Sequence, residues 1–443
     1  MAPGIFPVAN ATVPFWRTEL HEIDEHRSTP ELPAEQDIVI IGAGFAGTTC
    51  AYYLTQDEFT VPSITVLEAR EACSGATGRN GGHCRPDLHV GFENRKNVKG
   101  LDAANEVACF EVANLQAVKQ LIRQERIECE LEEVTSSNVY LDEKQALGAK
   151  DNLEEMLDLG CPTAMMVNYY GPDEAEKVSG VKGAKAATTF PAATLWPYKF
   201  ITQLLSIVVD RGVNLQTNTP VTMVSSTADD EGFWTVTTPR GNIRAKKVVF
   251  ATNGYTSGVL PEYKAIHPVR GTCSRIIAAN PPAERSRIGS LVPYYAPKLA
   301  DYQANRSDGS FVVGGAWTTC RFKHTNQWRD VVDDSQLVPA AEGYFNGYIE
   351  RTFNGWEQAE TTVDQVWTGI MGYTEDGEPH IGKVPSKEGL YICAGFNGHG
   401  MPLVLLCAKG LVKMMSDDCD FSQTGIPSLY ETTPERLQAT AVI

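Results

Sequence analysis

The sequence predicts an α/β fold built as two domains, and three observations carry that prediction. The first is an apolar run, Asp37–Ile41, followed by Gly42-x-Gly44-x-x-Gly47 and a helical stretch, Thr48–Thr55. The second is another apolar run, Ile64–Leu67, closed by Glu68, 21 residues past the last glycine. The third is length, because 443 residues exceed what one hydrophobic core ordinarily organises.

Each part of the opening unit has a physical job. Short apolar runs without alternation suit strands buried on both faces. The first glycine makes the strand-to-helix turn, the second lets backbone approach a pyrophosphate, and the third lets helix and strand pack closely. A helix N-terminus presents N–H groups and partial positive charge to phosphate. Glu68, at the end of the second strand, can accept hydrogen bonds from ribose hydroxyls. Strands, helix and acid in register predict binding of an ADP-containing dinucleotide.

Composition narrows the class. A formal net charge of −17 argues against a nucleic-acid partner, which needs basic surface. Eleven scattered cysteines without a C-x-x-C pair suit reduced thiols in the cytosol better than a disulfide framework. There is no run of 18 apolar residues for a membrane span, no basic-then-apolar leader, and the final Ala-Val-Ile is not a peroxisomal address. The expectation is a cytoplasmic protein without a membrane or nucleic-acid partner.

Taken in order, residues 1–36 form a polar, Pro-containing arm with Phe15 and Trp16 as anchors, ahead of the opening unit. A loop of small residues and paired glycines, Cys73–Asp87, implies close backbone approach to a ligand. Helices are expected over 101–125, 150–158 and Tyr198–Val209, and a further helix over 331–351. Strands are expected at Gly212–Leu215 and Pro220–Val224, then a hairpin at Phe233–Thr238 and Ile243–Ala245, then a buried strand Lys247–Thr252. Alternating β patterns from His267 to Trp317 suggest a sheet roofing a pocket. A strand (LYICA), a glycine turn (GFNGHG) and a helix beginning at Met401 close the pattern. Three distant segments thus read as one dinucleotide unit, and a ligand served by all three is large, such as FAD.

The motifs VIIGAGFAG, SGATGRNGGH, VVFATNGYT, TGIMGYTEDGEPHIG and CAGFNGHGMPL resemble those of the D-amino-acid oxidase-like flavoproteins, a family with glycine oxidase, sarcosine oxidases and γ-glutamylputrescine oxidase. The GRNGG loop and the ADYQANRSDGSFVVGGA run look most like the γ-glutamylputrescine oxidase branch. The resemblance implies a Rossmann-type FAD-binding domain from 37–97, 186–262 and 372–443. It implies a substrate domain from 98–185 and 263–371, built on a mixed, largely antiparallel sheet. On the same resemblance FAD contacts fall on Gly42, Gly44, Phe45, Ala46 and Gly47, and on Glu68, Ala69 and Arg70. They continue through Ser74, Ala76, Thr77, Arg79, Asn80, Gly81 and Gly82, then Val221, Ala251, Thr252 and Asn253. At the flavin's pyrimidine side they fall on Gly372, Gly395, Phe396, Asn397, Gly398, His399, Gly400 and Met401.

Departures from the family pattern are informative. Met371 stands where amino-acid oxidases of the family carry a carboxylate-gripping arginine and where monomeric sarcosine oxidases carry a flavin-linked cysteine. Non-covalent FAD is therefore expected. Pro402 matches the sarcosine enzymes' carboxylate-binding lysine, and the stretch Ser310–Gly315, with Val312, lacks their oxygen-activating lysine. Both losses weaken an α-amino-acid reading, because a buried carboxylate needs a charged partner.

Hydride transfer to flavin asks the protein mainly for positioning and exclusion of water, so no triad or metal cluster is expected. His83 reads either as a group facing the flavin's reactive edge or as a hydrogen-bonding loop residue. Tyr373 reads either as a substrate hydrogen-bond partner or as packing beside the flavin. Met371, with Trp317 and Trp367, reads as an apolar wall. Arg79 reads as a pyrophosphate partner or a solvated loop charge, and His380 as structural. The expected activity is FAD-dependent oxidation of a secondary or primary amine to an imine, with dioxygen as acceptor. The alternatives are a dehydrogenase or tailoring enzyme of secondary metabolism, an amino-acid oxidase, and a non-catalytic binding protein on the same fold.

Overall fold

In the computed structural model, which describes residues 4–56, 61–283 and 286–438, the chain forms two sheets that meet along one cavity. The first three residues of the arm and the terminal Ala-Val-Ile lie outside the described residues. The first sheet grows outward from β1 (Glu35–Ile41), which pairs in parallel with β2 (Ile64–Leu67) on one side and with Gly241–Phe250 on the other. Asn214–Gln216 extends it beyond β2, and Leu390–Ala394 then His380–Lys383 extend it beyond Gly241–Phe250.

Alternation along β1 explains why its run is unbroken. Ile38 and Ile40 feed one core, shared with α1 (Phe45–Leu54) and the helices Pro197–Asp210 and Val404–Asp417. Val39 and Ile41 feed a second core on the opposite face, with Val221, Trp234 and Val236.

The second sheet has ten strands, and the long antiparallel pair Ile266–Ala278 and Thr361–Thr374 is its backbone. Ala186–Thr194 pairs antiparallel with Glu132–Tyr140 here, and the two-residue strand His83–Cys84 pairs with Ala193 and Thr194. The crossing between sheets therefore falls after Thr194, not before Ala186 as the sequence suggests. Apart from Pro191 the run AATTFPAAT is small and apolar or hydroxylated, and nothing in it reveals its partner.

Four other expectations change. The hairpin arm and the buried strand are one strand, Gly241–Phe250, since no breaker separates Ala245 from Lys247. Only Met223–Val224 of Pro220–Val224 is strand, and the C-terminal helix begins at Val404. The helix expected over 331–351 is a coil, one 3₁₀ turn at Pro339–Ala341 and a short helix, Tyr348–Thr352. Gly343 and Gly347 there take φ of 70° and 62°, the left-handed region that ends a helix.

Phe15 and Trp16 do anchor the arm. Their rings pack with Trp196, the Trp16 indole N–H donates to the Asn80 carbonyl at 2.6 Å, and burying each ring is worth about 2–3 kcal/mol. Upstream, the Thr12 N–H and hydroxyl donate to the carbonyl of Asp334. The arm thereby ties the glycine loop to the second sheet.

Candidate active site

A cavity of about 430 Å³ runs between the sheets, and distant segments line it as expected. At one end are Leu67–Arg70, Val221 and the arm residues Phe6 and Pro7. In the middle are Gly42, Gly44, Phe45, Ala46, Ala76, Thr77, Ala251, Thr252 and Asn253. At the far end are Asn80, Gly81, His83, Met371, Tyr373, Phe396, Gly398, His399, Gly400 and Met401.

The glycine turn is held from both sides. Glu68 Oε2 accepts from the Ala43 N–H at 2.9 Å and Oε1 from the Arg70 N–H at 3.1 Å, which fixes the carboxylate beside the turn. Thr77 Oγ1 accepts from the Phe45 N–H at 3.0 Å, so one amide at the start of α1 is already engaged. A Cβ on Gly47 would stand 1.9 Å from the Gly42 carbonyl oxygen, so the third glycine serves close packing and does not line the cavity.

Several other expected contacts also lie outside the cavity wall. The Ser74 hydroxyl is buried without a protein partner, and the Ser74 carbonyl accepts from Arg70 and Arg79. Gly82 packs on the Trp16 ring, and Gly372 packs against Asn253 and Gly254. Gly395 sits against Ile266 and Thr374, and the Asn397 amide bonds Thr374 and Gly395. These residues shape the loops that carry their neighbours.

Arg79 is neither solvated nor free. Its guanidinium donates to the carbonyls of Ser74, Thr12 and Thr368 at 2.7–2.8 Å and lies 3.6 Å from Asp334. Trp367 is fully buried with its N–H on the Arg79 carbonyl, so it stands behind the wall, whereas Trp317 lines it. His380 is structural, bonded to the hydroxyls of Tyr263 and Thr432.

His83, His399, Tyr373 and Met371 line one part of the cavity together. His83 Nδ1 lies 2.9 Å from the Ser290 hydroxyl, and burial, with Arg85 and His399 nearby, pushes its pKa down to about 3. It is a neutral imidazole. Burial opposes charge on His399 too, but the Glu111 carboxylate 2.8 Å away outweighs it and raises the pKa. The Tyr373 hydroxyl has no protein partner among the described residues and faces the Gly398 turn, with its pKa raised by burial. The Met371 thioether lies between Gly271 and Gly398, where side chains at either glycine would strike it.

Sequence reasoning missed Tyr302, Cys273, Tyr255 and Arg85, all of which line the cavity. Tyr302 is clamped between Gly81 and Gly314, whose Cβ atoms would stand 2.6 and 2.1 Å from its ring, and its hydroxyl is 2.8 Å from Cys273 Sγ. Tyr302 lies within the ADYQANRS run, and the paired glycines were its only signal. Arg85 lies near the end of the Cys73–Asp87 loop, in the Cys84-Arg85-Pro86 run, whose spacing fits no motif.

The residues fit a flavin dinucleotide. The Tyr255 hydroxyl is buried, lines the cavity and has no protein partner among the described residues, which leaves a polar atom for a ligand to satisfy. The cavity lined by three distant segments, the glycine turn and the anchored Glu68 supply the rest of the cradle. The sequence model of the DAO family, described as FAD dependent oxidoreductase, matches residues 37–414. The chain belongs to that family. As a DAO-family protein it is an FAD-dependent oxidoreductase, and its cofactor is FAD.

Among relatives, glycine oxidase of Bacillus licheniformis is 24% identical over 401 residues, covering 86% of this chain and 92% of that enzyme. Mitochondrial dimethylglycine dehydrogenase of Rattus norvegicus is 20% identical over 405 residues, 88% of this chain but 43% of that longer protein. The structure of glycine oxidase from Geobacillus kaustophilus superposes with a TM-score of 0.69 at 18% identity, covering 88% of this chain and 96% of that one. The fold is thus shared over most of the chain. No helix among the described residues is long and apolar enough to cross a membrane.

Proposed function

We propose that this DAO-family enzyme oxidises a C–N bond of a small primary or secondary amine to an imine, with dioxygen as the acceptor and hydrogen peroxide as the product. The observation that carries the reading is the far end of the cavity. There a neutral His83, a Tyr373 hydroxyl without a protein partner among the described residues and the apolar Met371 and Trp317 line one space beside the Gly398–Met401 turn. FAD, when bound, supplies the two-electron acceptor for the amine carbon. Gly42–Ala46, Glu68, Thr77 and Asn253 would hold it.

The chain's own part is positioning. An amine must be neutral to give up hydride and becomes cationic as it does so; an imidazolium beside it would oppose that charge, whereas an uncharged His83 can accept a hydrogen bond from its N–H. The Tyr373 phenol, kept protonated by burial, can donate to the substrate. Met371, Trp317 and Tyr302 exclude water from the reacting carbon. A dehydrogenase remains the second reading, favoured by the absence of any lysine among the cavity-lining residues.

The test is an anaerobic screen of amines and amino acids, watching the flavin absorbance and then admitting air. Bleaching by amines with stoichiometric peroxide on reoxidation supports the oxidase reading. Bleaching with slow, peroxide-free recovery supports the dehydrogenase, and no bleaching by any amine overturns both.

A further inference from the structure

The family match begins at residue 37, and the arm precedes it. Two stretches of that arm are held very differently. From Thr12 to Arg17 the hold is dense. Arg79 donates to the Thr12 carbonyl at 2.7 Å, and the Thr12 N–H and hydroxyl both donate to the Asp334 carbonyl. Gln365 donates to the Val13 carbonyl at 2.7 Å, the Phe15 and Trp16 rings are buried, and Arg17 donates to the Ala72 carbonyl at 3.0 Å.

From Ile5 to Ala11 the hold is thin. Among the described residues this stretch has one hydrogen bond to the rest of the chain, from Arg70 Nη1 to the Val8 carbonyl at 3.2 Å. None of its residues is buried, and Ala9 and Asn10 are exposed. Yet this is where the arm meets the cavity. Phe6 and Pro7 line it beside Leu67–Arg70, Val221 and Val259, and Phe6 packs against the apolar core that Val221 and Val259 share. Gly258 permits the close approach, because a Cβ there would stand 1.9 Å from the Ile5 carbonyl oxygen.

One piece of the cavity wall can therefore leave without breaking a sheet or a helix. Its ties are a hydrogen bond and a half-buried ring, far less than the opening of either sheet would cost. A segment so held over a ligand site sets the rate at which ligand passes it. We propose that Ile5–Ala11 is a strap across the Glu68 end of the dinucleotide site, hinged at Thr12, whose opening gates the entry and loss of FAD. The tie and the wall share one side chain, since the Arg70 nitrogen that holds Val8 also donates to Asp334 at 2.9 Å. This inference rests on FAD as the cofactor and is independent of which amine is oxidised.

The test follows flavin fluorescence as FAD leaves the diluted holoenzyme and as it rebinds to the apoprotein. Two variants loosen the strap from opposite sides. Gly258→Val pushes the Ile5 carbonyl away from a position outside the cavity wall, and Phe6→Ser removes the ring from the strap itself. Each should release FAD roughly tenfold faster than the wild type, the change expected when a half-buried ring lets go. Each should also bind FAD at least as fast as the wild type, because a gate slows passage in both directions. Release at the wild-type rate in either folded variant overturns the proposal. Faster release with slower binding also overturns it, because that pattern marks a damaged site. If Gly258→Val does not fold, Phe6→Ser decides. Independently of the variants, amide hydrogen exchange across residues 5–11 of the wild type should be slower in the holoenzyme than in the apoprotein. Equal exchange in the two forms overturns the strap.

Discussion

Asp334 Oδ1 lies 2.9 Å from an Arg70 nitrogen, and Asp334 Oδ2 lies 3.6 Å from Arg79 Nε, so one fully buried carboxylate joins two arginines of the cavity wall. The backbone carbonyl of the same residue accepts from Thr12 and Thr368, which fastens the arm to the second sheet. Asp334→Asn leaves two buried guanidinium groups short of a counter-charge and should cost about 3–5 kcal/mol. Chemical denaturation of the holoprotein measures it, and a loss below about 1 kcal/mol would show that the arginines find other partners.

Gly47→Ala should give a protein that does not retain FAD. The new Cβ would stand 1.9 Å from a backbone oxygen, that of Gly42, so neither helix nor turn can yield without opening the phosphate-facing loop. The purified variant should be colourless after gel filtration while keeping its far-ultraviolet circular dichroism. A yellow variant with normal flavin stoichiometry would contradict this.

Acid precipitation should release all the flavin colour into solution. Met371 is no nucleophile, and burial pushes the Cys273 thiol up to about 12, which keeps it protonated and unreactive. Colour left in the pellet would place a covalent bond where none is expected.

Acid should destabilise the fold early. His83 and His380, each pushed down to about 3 chiefly by burial, and His89, lowered by burial, are neutral when folded. In the unfolded chain they protonate near pH 6.5, so proton uptake favours unfolding as pH falls from about 6.5 towards 3. The melting temperature should fall across that window, and His380→Gln should flatten the slope. A melting temperature constant down to pH 4 would argue against neutral burial.

The His399–Glu111 pair carries the opposite sign. The folded pKa of His399 lies above its unfolded value, so the stabilisation is full below about pH 6.5 and is lost as pH rises through the raised value. The difference in melting temperature between wild type and Glu111→Gln should therefore be largest at pH 6 and shrink towards pH 9. A difference that grows with pH would assign the pair another role.

The opening unit was readable because each of its residues has one local job. β1, β2 and the glycine turn fall where Ile38–Ile41, Ile64–Leu67 and Gly42–Gly47 put them. Ala186–Thr194 was not readable, because a run of Ala and Thr states burial but not which sheet supplies the partner. Nor was 331–351, where apolar spacing suggests a helix but Gly343 and Gly347 turn the backbone left-handed. In the site, glycines and Glu68 announced themselves by motif. Arg85, Tyr255 and Tyr302 owe their places to strands and turns distant in sequence, so only the assembled fold brings them to the cavity.

The central sheet sets a timetable for synthesis. β1 leaves the ribosome some 200 residues before Gly241–Phe250 can flank it, and the wall at Met401–Val404 emerges later still. A nascent chain therefore holds one flank of β1 unpaired for many seconds, with only β2 beside it, at ordinary elongation rates of about 5–20 residues per second. Flavin capture has to be essentially post-translational, and chaperones that shield Ile38–Ile41 in the interval should govern how much yellow enzyme a cell yields.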